Sequence, residues 1–104
     1  MNEVLEDLDT PETEKMNIEV FTERQSEAIE LIRHSNIPDK LKTHFEDMLR
    51  IFGEENIHTN RAKQILTIAD ELNLAKRIYL DENKVESIPE ANELISNIVN
   101  IYTK

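Results

Sequence analysis

Apolar residues recur at spacings of three and four along most of the chain, a pattern typical of amphipathic helices. The pattern is clearest between Pro38 and Gly53, where the stripe consists of Leu41, Phe45, Met48, Leu49 and Phe52. Proline suits a first helical position because its missing amide would be unpaired there, and Asp39 suits the positive end of the dipole. Glycine often ends a helix. We therefore expect a helix that begins at Pro38, stops at Gly53 and buries its phenylalanines.

A capping box predicts an earlier helix. In the motif from Thr22 to Gln25, the threonine hydroxyl accepts from the amide three residues on, and the Gln25 side chain reaches back. This helix is expected over about residues 23–35, because Ser35 and Asn36 precede a proline that disfavours helical angles. Its apolar side consists of Ala28, Ile29, Leu31 and Ile32.

A third and longer helix is expected from residue 60 to about 80, with Thr59 or Asn60 as its cap and a break near Asn73. Its predicted inner face consists of Ala62, Ile65, Leu66, Ala69, Leu72, Ala75, Ile78 and Tyr79. Three large apolar residues lie off that stripe, namely Ile68, Leu74 and Leu80. Residues 81–84 read as a turn.

A second capping box, Ser87 to Glu90, introduces the last helix. Its predicted buried side consists of Ala91, Leu94, Ile95, Ile98, Val99 and Tyr102. Ile101 lies beyond this main face. The third and fourth helices thus carry more apolar surface than one inward face needs, which fits either a contact with another subunit or burial by neighbouring helices.

Four helices with short links predict an all-α fold, a compact bundle over residues 21–104. Residues 1–20 form an acidic N-terminal tail that we expect to be mobile. Seven of the 22 acidic residues lie there beside one base, Lys15, whereas the other 84 residues hold 15 acids and 11 bases, a net charge of −4. Val4, Leu5 and Leu8 would share one face of a short helix in this tail, so they are candidates for docking on a partner.

Composition excludes several function classes. The single glycine, Gly53, is incompatible with a phosphate-binding loop, a dinucleotide-binding turn or a nucleophile elbow, since each needs several glycines. The absence of cysteine excludes thiol catalysis, thiolate metal sites and disulfides, and favours a reducing compartment. Without a leader pattern or a long apolar run, we expect a cytoplasmic protein with no membrane contact.

The sequence contains no convincing catalytic, cofactor or metal site. Its histidines, His34, His44 and His58, do not form the paired spacing of a helical zinc site, and each is expected at the surface. His44 is placed for an exposed ion pair with Asp47. Adjacent carboxylates on a helix point about 100° apart, so they do not form a catalytic dyad.

We therefore expect a small acidic interaction or regulatory protein that binds another protein with a basic-rimmed groove and that is able to self-associate. The candidate contacts on the bundle are Leu74, Leu80, Ile101 and Tyr102. The charge of −10 disfavours direct binding of nucleic acid. Two alternatives stay open: an acidic inhibitor that mimics nucleic acid, and a helix-turn-helix protein that reads DNA with Arg61 and Lys63.

Overall fold

A computed structural model describes the backbone of residues 2–103 and the side chains of residues 18–103. The four helices are α1 (Asn2–His34), α2 (Asp39–Asn56), α3 (Arg61–Asn83) and α4 (Pro89–Thr103), and residues 2–103 contain no strand. The predicted all-α class is confirmed. No helix in the described part of the chain is both long enough and apolar enough to cross a membrane.

The helices form a ring in which each lies beside two others. Close backbone approaches join α1 to α2, α2 to α3, α3 to α4 and α4 back to α1. One diagonal is bridged by side chains, since the rings of Phe52 on α2 and Tyr102 on α4 lie 5.6 Å apart. Short links require this arrangement, because residues 35–38, 57–60 and 84–88 reach only to an adjacent helix. The ring encloses one core, to which every helix contributes.

An aromatic cluster ties the first helix to the last. The ring of Phe21 lies 5.7 Å from that of Phe52 and 6.0 Å from that of Tyr102, and all three side chains are buried. α1 begins at Asn2, so the start near residue 23 that the capping box predicts is wrong, and Thr22 lies inside the helix rather than at its amino end. The Gln25 side chain does not reach back to Thr22; its amide donates to the carbonyl of Leu49 at 2.7 Å.

Gly53 does not end α2, contrary to the sequence prediction. It is buried inside the helix, which continues to Asn56. A Cβ atom at Gly53 would lie 2.4 Å from Nε2 of Gln25, so the missing side chain makes room for the Gln25 amide. The glycine leaves space for the Gln25 side chain between α1 and α2. The predicted stripe of α2 is otherwise confirmed, with four members buried and Met48 partly buried.

The inner face of α3 is rotated relative to the prediction. Its buried residues are Gln64, Ile68, Leu72 and Tyr79. Ile68, predicted off the stripe, is fully buried, whereas Leu66 and Ile78, predicted inside, are 69% and 46% exposed. The shift was hidden because Gln64, a polar residue, occupies an inner position, where its amide donates to the carbonyls of Asn56 and Thr59 at 2.8 and 3.0 Å.

The two ends of α3 are set by local signals. The side chain of Asn60 caps α3 by accepting from the amide of Lys63 at 2.9 Å, as predicted. No break occurs at Asn73, whose side chain donates to the carbonyl of Ala69 within the helix. The helix continues past the predicted turn to Asn83 and ends at Lys84, which adopts the left-handed conformation with φ 55°.

Candidate functional site

Six large apolar side chains are exposed among residues 18–103. They are Val20, Ile51, Leu66, Leu74, Ile78 and Val85. Ile51 lies beside the outer seam between α2 and α3, Leu74 and Ile78 lie on the outer surface of α3, and we call this group the α2–α3 patch.

Contacts across the seam show that Ile51 belongs to it. The ring of His44, on α2, lies edge-on to that of Tyr79, on α3, with centroids 6.4 Å apart. His44 therefore marks the side of α2 that faces α3. Ile51 follows seven residues later, which is almost two full turns, so it projects from the same side of α2.

Leu74 and Ile78 lie on the outer surface of α3. Lys76 faces α4, because its Nζ donates to the side-chain oxygen of Asn92 at 2.6 Å. Leu74 is two residues earlier, and a step of two residues turns the side chain about 200°, so Leu74 points away from α4 and is 48% exposed. Ile78 lies one turn beyond Leu74 and shares its face.

An acidic rim surrounds the patch. Positions three or four residues from a patch residue hold seven acidic side chains and one base, Arg77. The acids are Asp47, Glu54, Glu55, Asp70, Glu71, Asp81 and Glu82, and all except the half-buried Glu71 are exposed. Such neighbours on a helix surface are about 5–6 Å apart. The negative charge is therefore next to the apolar surface and is open to solvent.

The structure separates the four predicted contact residues of the bundle. Leu74 is 48% exposed and belongs to the patch. Leu80 is half-buried and lies six residues beyond Leu74, about 120° around α3, so the two do not share a face. Ile101 and Tyr102 are only 3% and 1% exposed. Placing these last two on a contact surface is wrong, because neighbouring helices bury them.

Two members of the patch were missed at the sequence level. The sequence pattern predicts Ile78 in the core, because it rotates the inner face of α3 away from the face that the structure buries. Ile51 stands next to Phe52 but off the stripe of α2, a position that marks it as surplus apolar surface. Val4, Leu5 and Leu8, the predicted contacts of the N-terminal tail, lie outside the described side chains.

The histidines do not assemble a catalytic or metal site. His34 accepts or donates in a 3.1 Å hydrogen bond to Glu30, on exposed α1 surface, and His58 is exposed. His44 differs from expectation: it packs against Tyr79 and its Nε2 is buried without a hydrogen-bond partner, so it does not form the predicted ion pair with Asp47. No group of three metal-ligating side chains occurs in the described structure.

Comparison with known proteins identifies no relative. No protein-family model matches the chain, and neither a curated protein nor a solved structure is significantly similar to it. Function must therefore be inferred from the patch, its rim and the rest of the described surface.

Proposed function

We propose that this protein binds another protein through the α2–α3 patch, and that the partner offers an apolar segment flanked by lysine or arginine. The observation that carries the proposal is the exposure of Ile51, Leu74 and Ile78 on the neighbouring helices α2 and α3, with acidic residues one turn away on each helix. Apolar surface gains free energy on burial, and acids next to it favour a basic partner and disfavour an acidic one.

Burial of the small patch alone is too weak for a stable complex, so the acidic side chains of the rim must also contribute to binding. Full burial of a leucine or isoleucine side chain is favourable by about 1.5–3 kcal/mol, and these three are already about half buried. Covering the rest gains roughly 2–4 kcal/mol, less than the ~8 kcal/mol of a micromolar complex. The partner must therefore also contact the rim, whose attraction speeds association and weakens with salt.

A designed peptide helix with leucine on one face and lysine beside it is a suitable probe, with a leucine and glutamate peptide as its counterpart. We expect the basic peptide to bind and the acidic one not to bind. The triple variant Ile51→Ser, Leu74→Ser and Ile78→Ser should lose at least about tenfold in affinity. Leu66→Ser, which changes the most exposed apolar residue outside the patch, is the matched control and should change affinity less than about twofold.

Equal affinity of the triple variant and the unchanged protein would refute a role for the patch. Crosslinking from position 78, with position 66 as control, then tests the same surface against proteins of the source cell. Mass measurement of the product distinguishes a second copy of the chain from a different protein.

The acidic inhibitor is the second candidate, favoured by the exposed acids of the rim. It predicts binding to a basic, nucleic-acid-binding protein. This binding should persist in the triple serine variant and should fall steeply with salt.

The helix-turn-helix alternative gains no such support. α2 and α3 contact each other near both ends, through His44 with Tyr79 and Gln64 with Asn56, whereas helix-turn-helix pairs cross steeply.

A further inference from the structure

A cavity of about 550 Å³ opens at the end of the bundle that holds the link between α2 and α3. One wall is α1 near Phe21 and Arg24, and the other is formed by residues 57–61 with Gln64. Cavities of roughly 300–1,000 Å³ accommodate small organic ligands. The cavity and the α2–α3 patch have no side chain in common.

Among the described residues that line the cavity, the charged side chains are basic. The chain carries a net charge of −10, yet the ionisable side chains in this described lining are Arg24, His58 and Arg61. No acidic side chain is among the described lining residues. The amino end of α3 also lies here, where the helix dipole is positive. An anion would therefore find a favourable potential inside an otherwise acidic molecule.

Arg61 is held in position at the cavity wall. Its Nε lies 3.4 Å from the backbone carbonyl of Tyr102, to which it donates, and this contact joins the start of α3 to the end of α4. The side chain is exposed, and its terminal nitrogens have no acceptor among the described residues. A guanidinium group anchored through Nε presents its two terminal nitrogens side by side, the geometry that binds carboxylate or phosphate.

A buried hydroxyl without a hydrogen-bond partner lies close to the cavity wall. Tyr102 is 1% exposed, and its hydroxyl has no hydrogen-bond partner. Its ring contacts that of Phe21, which lines the cavity. Burial raises the pKa of the Tyr102 hydroxyl, and the positive charge of Arg24 opposes this rise. Tyr102 is not among the described lining residues, so it supports the wall and is not a contact for the ligand.

We propose that this cavity binds a small organic anion. Arg24 and Arg61 hold its carboxylate or phosphate group, and its apolar part rests on Ile18, Phe21 and Ile57. Two arginine side chains and an apolar floor together match an anion with a hydrocarbon portion better than a bare ion.

Titration of the full chain at constant ionic strength tests the proposal. The probes are phenyl phosphate, phenylacetate and inorganic phosphate. Their binding is measured by calorimetry and by the NMR signals of the backbone amides of residues 57–64. We expect saturable binding of at least one organic anion, tighter than that of inorganic phosphate. Preference between phenyl phosphate and phenylacetate identifies the anionic group.

Arg61→Gln should weaken binding at least about tenfold, because it removes a charge-assisted and bidentate contact. Lys63→Gln is the matched control: it removes an equal charge from the same turn of α3 but not from the cavity, and should change binding less than about threefold. If Arg61→Gln disturbs the helical circular dichroism, Arg24→Gln replaces it in the comparison. Absence of saturable binding by both organic anions, or equal weakening by the cavity variant and Lys63→Gln, would overturn the proposal.

Discussion

Replacing Gly53 with alanine tests the packing between α1 and α2. The new Cβ would lie 2.4 Å from Nε2 and 2.7 Å from Oε1 of Gln25, closer than real Cβ atoms approach. Something must move, and the end of the Gln25 side chain is the most flexible group there. Its hydrogen bond to the carbonyl of Leu49, 2.7 Å long, would be lost.

Two opposing terms decide the stability of this variant. Loss of the hydrogen bond costs about 0.5–1.5 kcal/mol, at the lower end because the Leu49 carbonyl keeps its acceptor role within α2. Alanine in a helix interior is about 1 kcal/mol better than glycine. Gly53→Ala alone should therefore change the free energy of unfolding by no more than ~0.5 kcal/mol. In a Gln25→Ala background the space is open, so the same change should stabilise by about 1 kcal/mol.

Urea unfolding of the four proteins in this double-mutant cycle measures the coupling, expected near 1 kcal/mol. A stabilisation of equal size in both backgrounds would show that Gln25 does not occupy the space above Gly53. A destabilisation of about 1 kcal/mol in both would mean that Gly53 serves as a left-handed helix end, as the sequence alone indicates.

Three further predictions follow from burial and capping. Ile68→Ala should cost about 2–5 kcal/mol in urea unfolding, whereas Leu66→Ala should stay within about 0.5 kcal/mol, since only the first lies in the core. Tyr102→Phe should leave stability at pH 7 unchanged or raise it by up to ~1 kcal/mol, because it removes an unpartnered buried hydroxyl. The raised pKa of Tyr102 means that the unfolded chain loses this proton first, so stability should fall above pH 10.0 by up to ~1.4 kcal/mol per pH unit, and less in Tyr102→Phe. Asn60→Ala should lower the free energy of unfolding by about 1 kcal/mol through the lost cap. Thr59→Ala should not lose this capping contribution, because the Thr59 hydroxyl bonds the carbonyl of Asn56 and not the start of α3.

Local and periodic signals predicted the number of helices, the stripe of α2 and the cap of α3. They succeeded because each depends on residues within one or two turns of each other. The burial of Phe21 and the role of Gly53 depend instead on contacts between helices, such as Phe21 with Tyr102 and Gln25 with Leu49. These contacts join residues that are far apart in the sequence, so sequence rules that consider only nearby residues do not predict them.

The candidate site was only partly predictable for the same reason. Surplus apolar residues on α3 indicated a surface, and Leu74 was among them. Which residues join it depends on the rotation of α3, and a buried polar residue, Gln64, concealed that rotation. The cavity at the end of the bundle could not be inferred, because Arg24 and Arg61 are brought together only by the meeting of α1 with the α2–α3 link.

The closed ring of helices has a consequence for the order in which the molecule assembles. Three of its four contacts join consecutive helices, which short links hold at high local concentration. The fourth, between α1 and α4, joins groups from opposite ends of the sequence and closes the longest loop, so its entropic cost of closure is the largest of the four. We therefore expect the aromatic contacts between α1 and α4 to form last. The wall of the arginine-lined cavity would be completed only at that step, after the helical hairpins have formed.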